Sequence, residues 1–257
     1  MAVDANPVMC NGIRQRFTAE IEEERLIVEC CVVTAGESAI EVDFYLHNLH
    51  STRGQFPKPS DDVLDLYTKV RLPSKSVLSI IKAHGDPHYV KLDIEHYDAQ
   101  LLGAMFDGGM RPPFVSAEAH SVEVFAMLTG QGGYGAFKLV DGASVENTYA
   151  DRSVMCHATR KPVRYSFPNH SAGPFGEDID GPWMKSESFL QLLAFEGFGW
   201  KDIHASMTEV ADPSFVPRVC GHLDRLINGR ELLAYVVHRA KNSIASRVGR
   251  LFGGTRG

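Results

Sequence analysis

His88-Tyr-Val-Lys-Leu-Asp-Ile-Glu95 opens the stretch that decides the fold, and Pro113-Phe-Val-Ser-Ala-Glu-Ala-His120 closes it. Each end is a short run with β-branched and aromatic residues that finishes in acidic and histidine side chains. Between them, Tyr97 to Phe106 carries Leu101, Leu102, Met105 and Phe106 at helical spacing and stops at Gly108-Gly109. The pattern predicts a strand, a helix and a strand. A parallel crossover of this length is normally right-handed, with its helix lying on the sheet. The two strands, expected over Tyr89–Leu92 and Pro113–Ala117, then deliver their carboxyl ends to one edge. Open α/β sheets bind ligands at that edge. Asp93, Glu95, Glu118 and His120 are expected to converge there around one pocket.

Bulk properties narrow the class. With 257 residues, 44% hydrophobic and 23% charged, the chain suits one large α/β domain or a domain plus an extension. A net charge of −6 gives no bulk attraction to nucleic acid. Five cysteines, an odd number without framework spacing, argue for a reducing, cytoplasmic compartment. Cys30-Cys31 sits in an apolar run and reads as core. No apolar run reaches the ~18 residues of a membrane span, and the acidic N-terminus is no signal peptide.

The central stretch also resembles a known family. Val90-Lys-Leu-Asp-Ile-Glu95, a helix, then Val115-Ser-Ala-Glu118 is similar to the core of FkbM-type methyltransferases. That family has a Lys-Ile-Asp-Val-Glu-Gly-like strand end, a Leu-rich helix and a strand ending in Glu. The resemblance implies an S-adenosylmethionine-dependent O-methyltransferase built on a Rossmann-like α/β sheet. This chain departs from the family where His96-Tyr97 follows the second acid, since Gly is usual there. The bulky pair narrows the pocket mouth or adds a polar group to it.

The first residues extend the resemblance. Asp4 ends a very short apolar run, Asn6-Pro7 breaks it, and a helix is expected over Val8–Ala19 with Val8, Ile13 and Phe17 on its apolar side. This is similar to the second motif of Rossmann-like methyltransferases, where the acid accepts hydrogen bonds from the cofactor ribose. The plainer alternative makes Asp4 a helix N-terminal acid. In the family a central strand and a Gly-rich loop precede the acid, and the loop lets the backbone approach the methionine moiety. That segment is not found ahead of Asp4, so the sheet is expected to be N-terminally incomplete. Either the true start lies upstream or cofactor binding has been lost; the retained downstream pattern favours the first. The chain by itself is expected to bind S-adenosylmethionine only in the millimolar range or weaker, and an extended one to bind it well.

Leu26–Val33 reads as a buried strand, Ala39–Leu46 and Thr68–Leu72 as further strands, and Ser76–His84 as a helix. In the family the loop after the first of these approaches the adenine. The resemblance therefore implies a cofactor set of Asp4, Asn6, Val33, Thr34 and Asp93. His50-Ser51-Thr-Arg-Gly54 is a polar loop, either solvated or a substrate-side lip carrying Ser51.

Beyond His120, a helix is expected over Val122–Leu128 and a strand over Ala136–Val140, while Asn147–Lys161 reads as irregular. Ser166–Asp178 is a long loop rich in Gly and Pro that resembles a Phe-Pro…Ser-Ser-Gly-Pro-Phe-Gly-Glu loop in some FkbM-like proteins. It reads as a lid or acceptor-site loop, with Ser171, Gly173 and Glu177 facing substrate, or else as a packing loop. Gly199–His204 is expected to pack it down. The methyltransferase-like domain spans 1–212 and a helical extension spans 213–257. In the extension, Glu231–Phe252 alternates apolar and basic residues. Packing on the domain or on a second copy explains it; contact with an anionic membrane over 231–252 is the sharper alternative.

Methyl transfer requires an acceptor oxygen held in line and relieved of its proton. His120 and Glu118 are the first candidates for the base, and Asp93 and Glu95 the next. The acceptor is a small-molecule or glycan hydroxyl, and no metal is required. Two other classes compete: a metal-dependent hydrolase built on the same acids and histidine, and a non-catalytic binding module of the same fold.

Overall fold

The computed structural model describes residues 1–210 apart from 37, 38, 157, 158, 170 and 209. The expected extension over 213–257, with its membrane-facing alternative, lies outside the described residues. In chain order the first half holds β1 (Ala2–Asp4), α1 (Pro7–Arg16), α2 (Thr18–Glu22), β2 (Val28–Cys30), β3 (Val32–Thr34), β4 (Glu41–His47), β5 (Tyr67–Ser76) and α3 (Val77–His84). The second half holds β6 (Tyr89–Lys91), α4 (Asp98–Asp107), β7 (Phe114–Glu118), α5 (Val122–Ala126), β8 (Ala136–Asp141) and α6 (Val145–Thr148). Then follow β9 (Arg152–Cys156), β10 (Lys161–Tyr165), β11 (Met184–Lys185), α7 (Ser186–Glu196) and β12 (Lys201–Ser206). The architecture is mixed α/β.

The deciding stretch folds as expected. β6 and β7 are parallel neighbours, with Tyr89 opposite Phe114 and Lys91 opposite Ser116. Leu101, Leu102, Met105 and Phe106 put one face of α4 into the core, each no more than 2% exposed. Gly108 ends the helix, and Gly109 follows with a φ of 80°, a conformation that costs glycine little. The α4 residues share one core with Val115, Ala117, Ile203 and Phe137 of the sheet and with Phe125, Phe189 and Leu193 of α5 and α7. Leu102→Ala is expected to cost about 2–5 kcal/mol, the usual range for a buried leucine, read as a shift of the urea midpoint.

The five-stranded sheet has the order β11-β8-β12-β7-β6. β12 runs antiparallel to both β7 and β8. The sequence reading gave residues 199–204 a packing role under the loop; they form instead a central strand. Lys201–Ser206 reads Lys-Asp-Ile-His-Ala-Ser, whose polar residues obscure a strand buried on both faces. The supposedly irregular 147–161 segment contains β9, which pairs with β10 as an antiparallel hairpin. α7 was also missed.

The N-terminal half forms separate sheets, β1-β2 parallel and β3-β5-β4. The single strand expected over Leu26–Val33 is broken at the buried Cys31, where pairing passes from β1 to β5. The expected helix over Val8–Ala19 is divided at Phe17 into α1 and α2. Val8 is 70% exposed, and Cys10 is the buried residue of α1. Among the described residues, β1 pairs only with β2, and β6 only with β7. Their carboxyl ends lie at a common edge: the Asp4 carboxyl feels the charge of Asp93, and the Ala35 N–H donates to the Tyr97 hydroxyl at 3.2 Å. No helix among the described residues is long and apolar enough to cross a membrane.

Candidate functional site

Strand alternation sorts the side chains of β6, β7 and β12 into two faces. Val90, Val115, Ala117, Ile203 and Ala205 enter the core. The other face is a polar ladder. The Tyr89 and Ser116 hydroxyls are 2.6 Å apart, and Lys91 Nζ donates to Asp202 Oδ1 at 2.8 Å. Lys91 also lies 3.5 Å from Asp93. Burial pulls the Lys91 ammonium down, but Asp202 and Asp93 outweigh it and its pKa is raised.

At the carboxyl ends of β6 and β7 this ladder becomes the predicted cluster. Glu118 Oε2 and His120 Nε2 are 3.0 Å apart, an ion-pair distance, although the angle at Nε2 falls outside hydrogen-bond geometry. The Glu118 carboxylate raises the His120 pKa, against the opposing effect of burial. Asp93 lies on the same side as Glu118. Its surroundings push it up, Lys91 pulls it back and the Glu118 charge adds to the rise. Its side chain is 55% exposed, so water moderates these effects. Glu95 is half-buried and raised by burial first, then by Glu118, with His120 opposing. All four predicted residues therefore share one electrostatic neighbourhood.

Two further residues stand beside them: Asp98, which the sequence reading did not single out, and His96, which it marked as a departure at the pocket mouth. Asp98, the first residue of α4, is 1% exposed, and neither carboxylate oxygen has a hydrogen-bond partner. Burial, followed by the Asp93 charge, pushes its pKa up to about 6. The Ile94 backbone N–H opposes the rise. His96 has a φ of 69°. Its ring lies 4.2 Å from that of His120, centre to centre, at 42°. Burial and His120 lower the His96 pKa. With Ser121 and Glu123, these side chains line a cavity of about 210 Å³. Glycine is the residue that takes such a φ without strain, so the departure noted at His96 marked this position in advance.

Other expected site residues lie elsewhere. Asp4 Oδ1 accepts from the Asn6 N–H at 2.7 Å, which bends the chain from β1 into α1. Burial raises the Asp4 pKa, the Asn6 N–H lowers it and Asp93 raises it again. Asn6 makes two structural hydrogen bonds. Its Oδ1 caps α1 at the Val8 N–H, and its Nδ2 donates to the Ser51 carbonyl. Val33 packs against the core, and the Thr34 hydroxyl donates to the Gly36 carbonyl at 3.1 Å.

The expected substrate loop is likewise committed to packing. A Cβ on Gly173 would lie 3.1 Å from both Val140 and Val145. Ser171 Oγ accepts from the Gly173 N–H. Glu177 accepts from Trp183 Nε1 at 2.6 Å. Lys138, buried beneath the loop, donates to the Ile179 carbonyl at 2.8 Å, and Phe175 stacks on Tyr89 at 4.9 Å. None of Ser51, Ser171, Gly173 or Glu177 lines the cavity at the ends of β6 and β7, and of the four residues expected around one pocket only His120 does. The loop covers the polar face because that face needs partners away from water, a requirement set by tertiary contacts.

Among the described residues no group of three His, Cys, Asp or Glu side chains is arranged to hold a metal ion. No family model matches the chain, and neither the curated proteins nor the solved structures yield a match.

Proposed function

We propose that this chain is a Rossmann-like methyltransferase domain that transfers a methyl group from S-adenosylmethionine to a hydroxyl of a small molecule or glycan. One observation carries the reading. The Glu118–His120 pair and Asp93 gather at the carboxyl ends of two parallel strands, with the Asp4 carboxyl of the neighbouring sheet within electrostatic reach. The carboxyl edge of an open α/β sheet is where such ligands bind.

The residues fit the cofactor in part. Asp4 uses one oxygen on the Asn6 N–H, and the other has no partner among the described residues, so it would accept from a ribose hydroxyl. S-adenosylmethionine, when bound, supplies an electrophilic methyl group on a sulfonium. The chain's own task is to orient the acceptor and take its proton. His120 suits that task because Glu118 holds it close and raises its pKa, which makes it a stronger base. Asp93, half-exposed beside Lys91, would orient the acceptor or the cofactor's charged end. The metal-dependent hydrolase reading has less support, since no three ligand-type side chains among the described residues are arranged to hold a metal ion.

Calorimetric titration with S-adenosylmethionine tests the proposal. Weak binding is expected, in the millimolar range, because Asp4 is preceded among the described residues only by the start of β1 and by no glycine-rich turn. Asp4→Ala is expected to weaken it about ten- to hundredfold, the equivalent of one charge-assisted hydrogen bond. Absence of any binding, or identical binding by the variant, would overturn the reading and favour a non-catalytic module.

A further inference from the structure

We infer that the groove along the outer side of α4 is the docking site of residues 231–252 of the same chain. The inference does not depend on the methyl-transfer reading. The groove has a volume of about 870 Å³. It follows α4 from Ala99 to Gly108, with Leu78 of α3 on one side and Met127, just after α5, on the other. Asp107 and Glu123 stand on its rim, both exposed. Among the described residues no lysine or arginine lines it.

Charge and spacing select the occupant. Residues 231–252 lie outside the described residues, so the argument on their side is one of sequence. Leu233, Val237, Ile244, Val248 and Leu251 fall on one narrow face at 3.6 residues per turn. Lys241 and Arg247 flank that face, one on each side. The segment carries four bases and one acid in a chain of net charge −6. An apolar stripe edged by bases complements an apolar groove edged by acids, the usual pairing of a helix laid in a groove. The lengths agree as well. Ala99 to Gly108 covers about 14 Å at 1.5 Å per residue, and Val237 to Val248 would cover about 16 Å.

The connection permits it. As β12 ends, the Met207 N–H donates to the Pro113 carbonyl at 3.0 Å. Two residues before Pro113, the Arg111 guanidinium donates at 3.1 Å to the carbonyl of Gln131, which lines the groove and whose side chain donates to Asp107. The chain therefore leaves the sheet near the Asp107 end of the groove. Residues 208–230 supply a tether of at most about 75 Å, several times the groove's length. A flexible tether holds its end at an effective concentration in the millimolar range, which favours this segment over a second copy at micromolar protein. Ala99 and Glu123 also line the smaller cavity beside His120, so the docked segment lies next to the proposed site.

Amide hydrogen exchange of the full chain, read by mass spectrometry, tests the inference. Amides of Val237–Val248 are expected to exchange about tenfold more slowly in the parent than in Gly103→Arg, the protection that a contact of about 0.1 mM affinity gives at millimolar effective concentration. A Cβ on Gly103 would lie 3.8 Å from Met127 Sδ and Gln131 Oε1, an ordinary contact, so the new side chain fills the groove without straining α4. Arginine is also the better helix former. Unchanged protection over Leu101–Phe106 shows that the variant is folded. Charge reversal is the second arm. Asp107→Lys with Glu123→Lys should speed exchange about threefold, the effect of two exposed pairs, and adding Lys241→Glu with Arg247→Glu should restore it. Equal exchange in the parent and in folded Gly103→Arg overturns the inference. Where Gly103→Arg loses protection over 101–106, an unchanged rate after rim reversal overturns it instead. Protection that appears only as copies associate, seen by sedimentation over a range of concentrations, also overturns it and gives the groove to a second copy.

Discussion

His120→Gln is expected to slow methyl transfer about 10²–10⁴-fold, the usual contribution of a positioned general base. The argument is geometric first: His120 Nε2 lies 3.0 Å from Glu118 Oε2 at the carboxyl edge of β7. It is then electrostatic, because Glu118 raises the His120 pKa above its ordinary value. A base must be neutral to accept a proton. The rate of the parent protein should therefore climb as pH rises through that raised pKa. Glu118→Gln removes the carboxylate that favours the imidazolium, so the climb should move to lower pH. Asp93→Ala should abolish transfer with little loss of fold, because its side chain is 55% exposed and contributes little to the core. Full activity in His120→Gln across the pH range would remove it from the mechanism. An unmoved profile in Glu118→Gln would leave that residue a structural role only.

The second large effect is on stability against acid, where two buried groups act in opposite directions. His204 of β12 is 3% exposed and its Nε2 has no hydrogen-bond partner. Burial first, and then the charges of Lys91 and Lys138, push its pKa down to about 3 from an ordinary 6.5. Between those values the unfolded chain binds a proton that the folded chain refuses, so stability falls as pH drops below 6.5. At about 1.36 kcal/mol per pKa unit, the loss is bounded at about 5 kcal/mol. Asp98 works the other way. Its pKa is raised from 3.8 to about 6, so the folded chain takes up a proton first and stability rises as pH falls through that window, by at most about 3 kcal/mol. Between pH 4 and 6 the two largely offset one another in the parent protein. Asp98→Asn should therefore lose stability in acid more steeply than the parent. His204→Asn should lose it less steeply, or gain. Urea midpoints at pH 4, 5, 6 and 7 measure both slopes. Parallel curves for all three proteins would show that neither group titrates as its surroundings require.

The sequence by itself determined the β6-α4-β7 unit and the electrostatic neighbourhood of Asp93, Glu95, Glu118 and His120 at its carboxyl ends, though not a shared cavity, which only His120 of the four lines. Those features are local. Period-two alternation, helical spacing of four large apolar residues and a glycine stop are written within one stretch, and a parallel pair must place its carboxyl ends together. The tertiary structure decided the rest. β12 is a central strand because its polar His204, Asp202 and Ser206 face neighbours on β7, β8 and β6 rather than water, and nothing within Lys201–Ser206 announces those partners. The 171–183 loop packs over the polar ladder because Lys138 and Tyr89, distant in sequence, hold it there. Asn6 became a cap, and Asp98 a buried acid without a donor, through contacts that no spacing rule encodes. Burial decides what a polar side chain does, and burial is a property of the whole fold rather than of the segment that carries the residue.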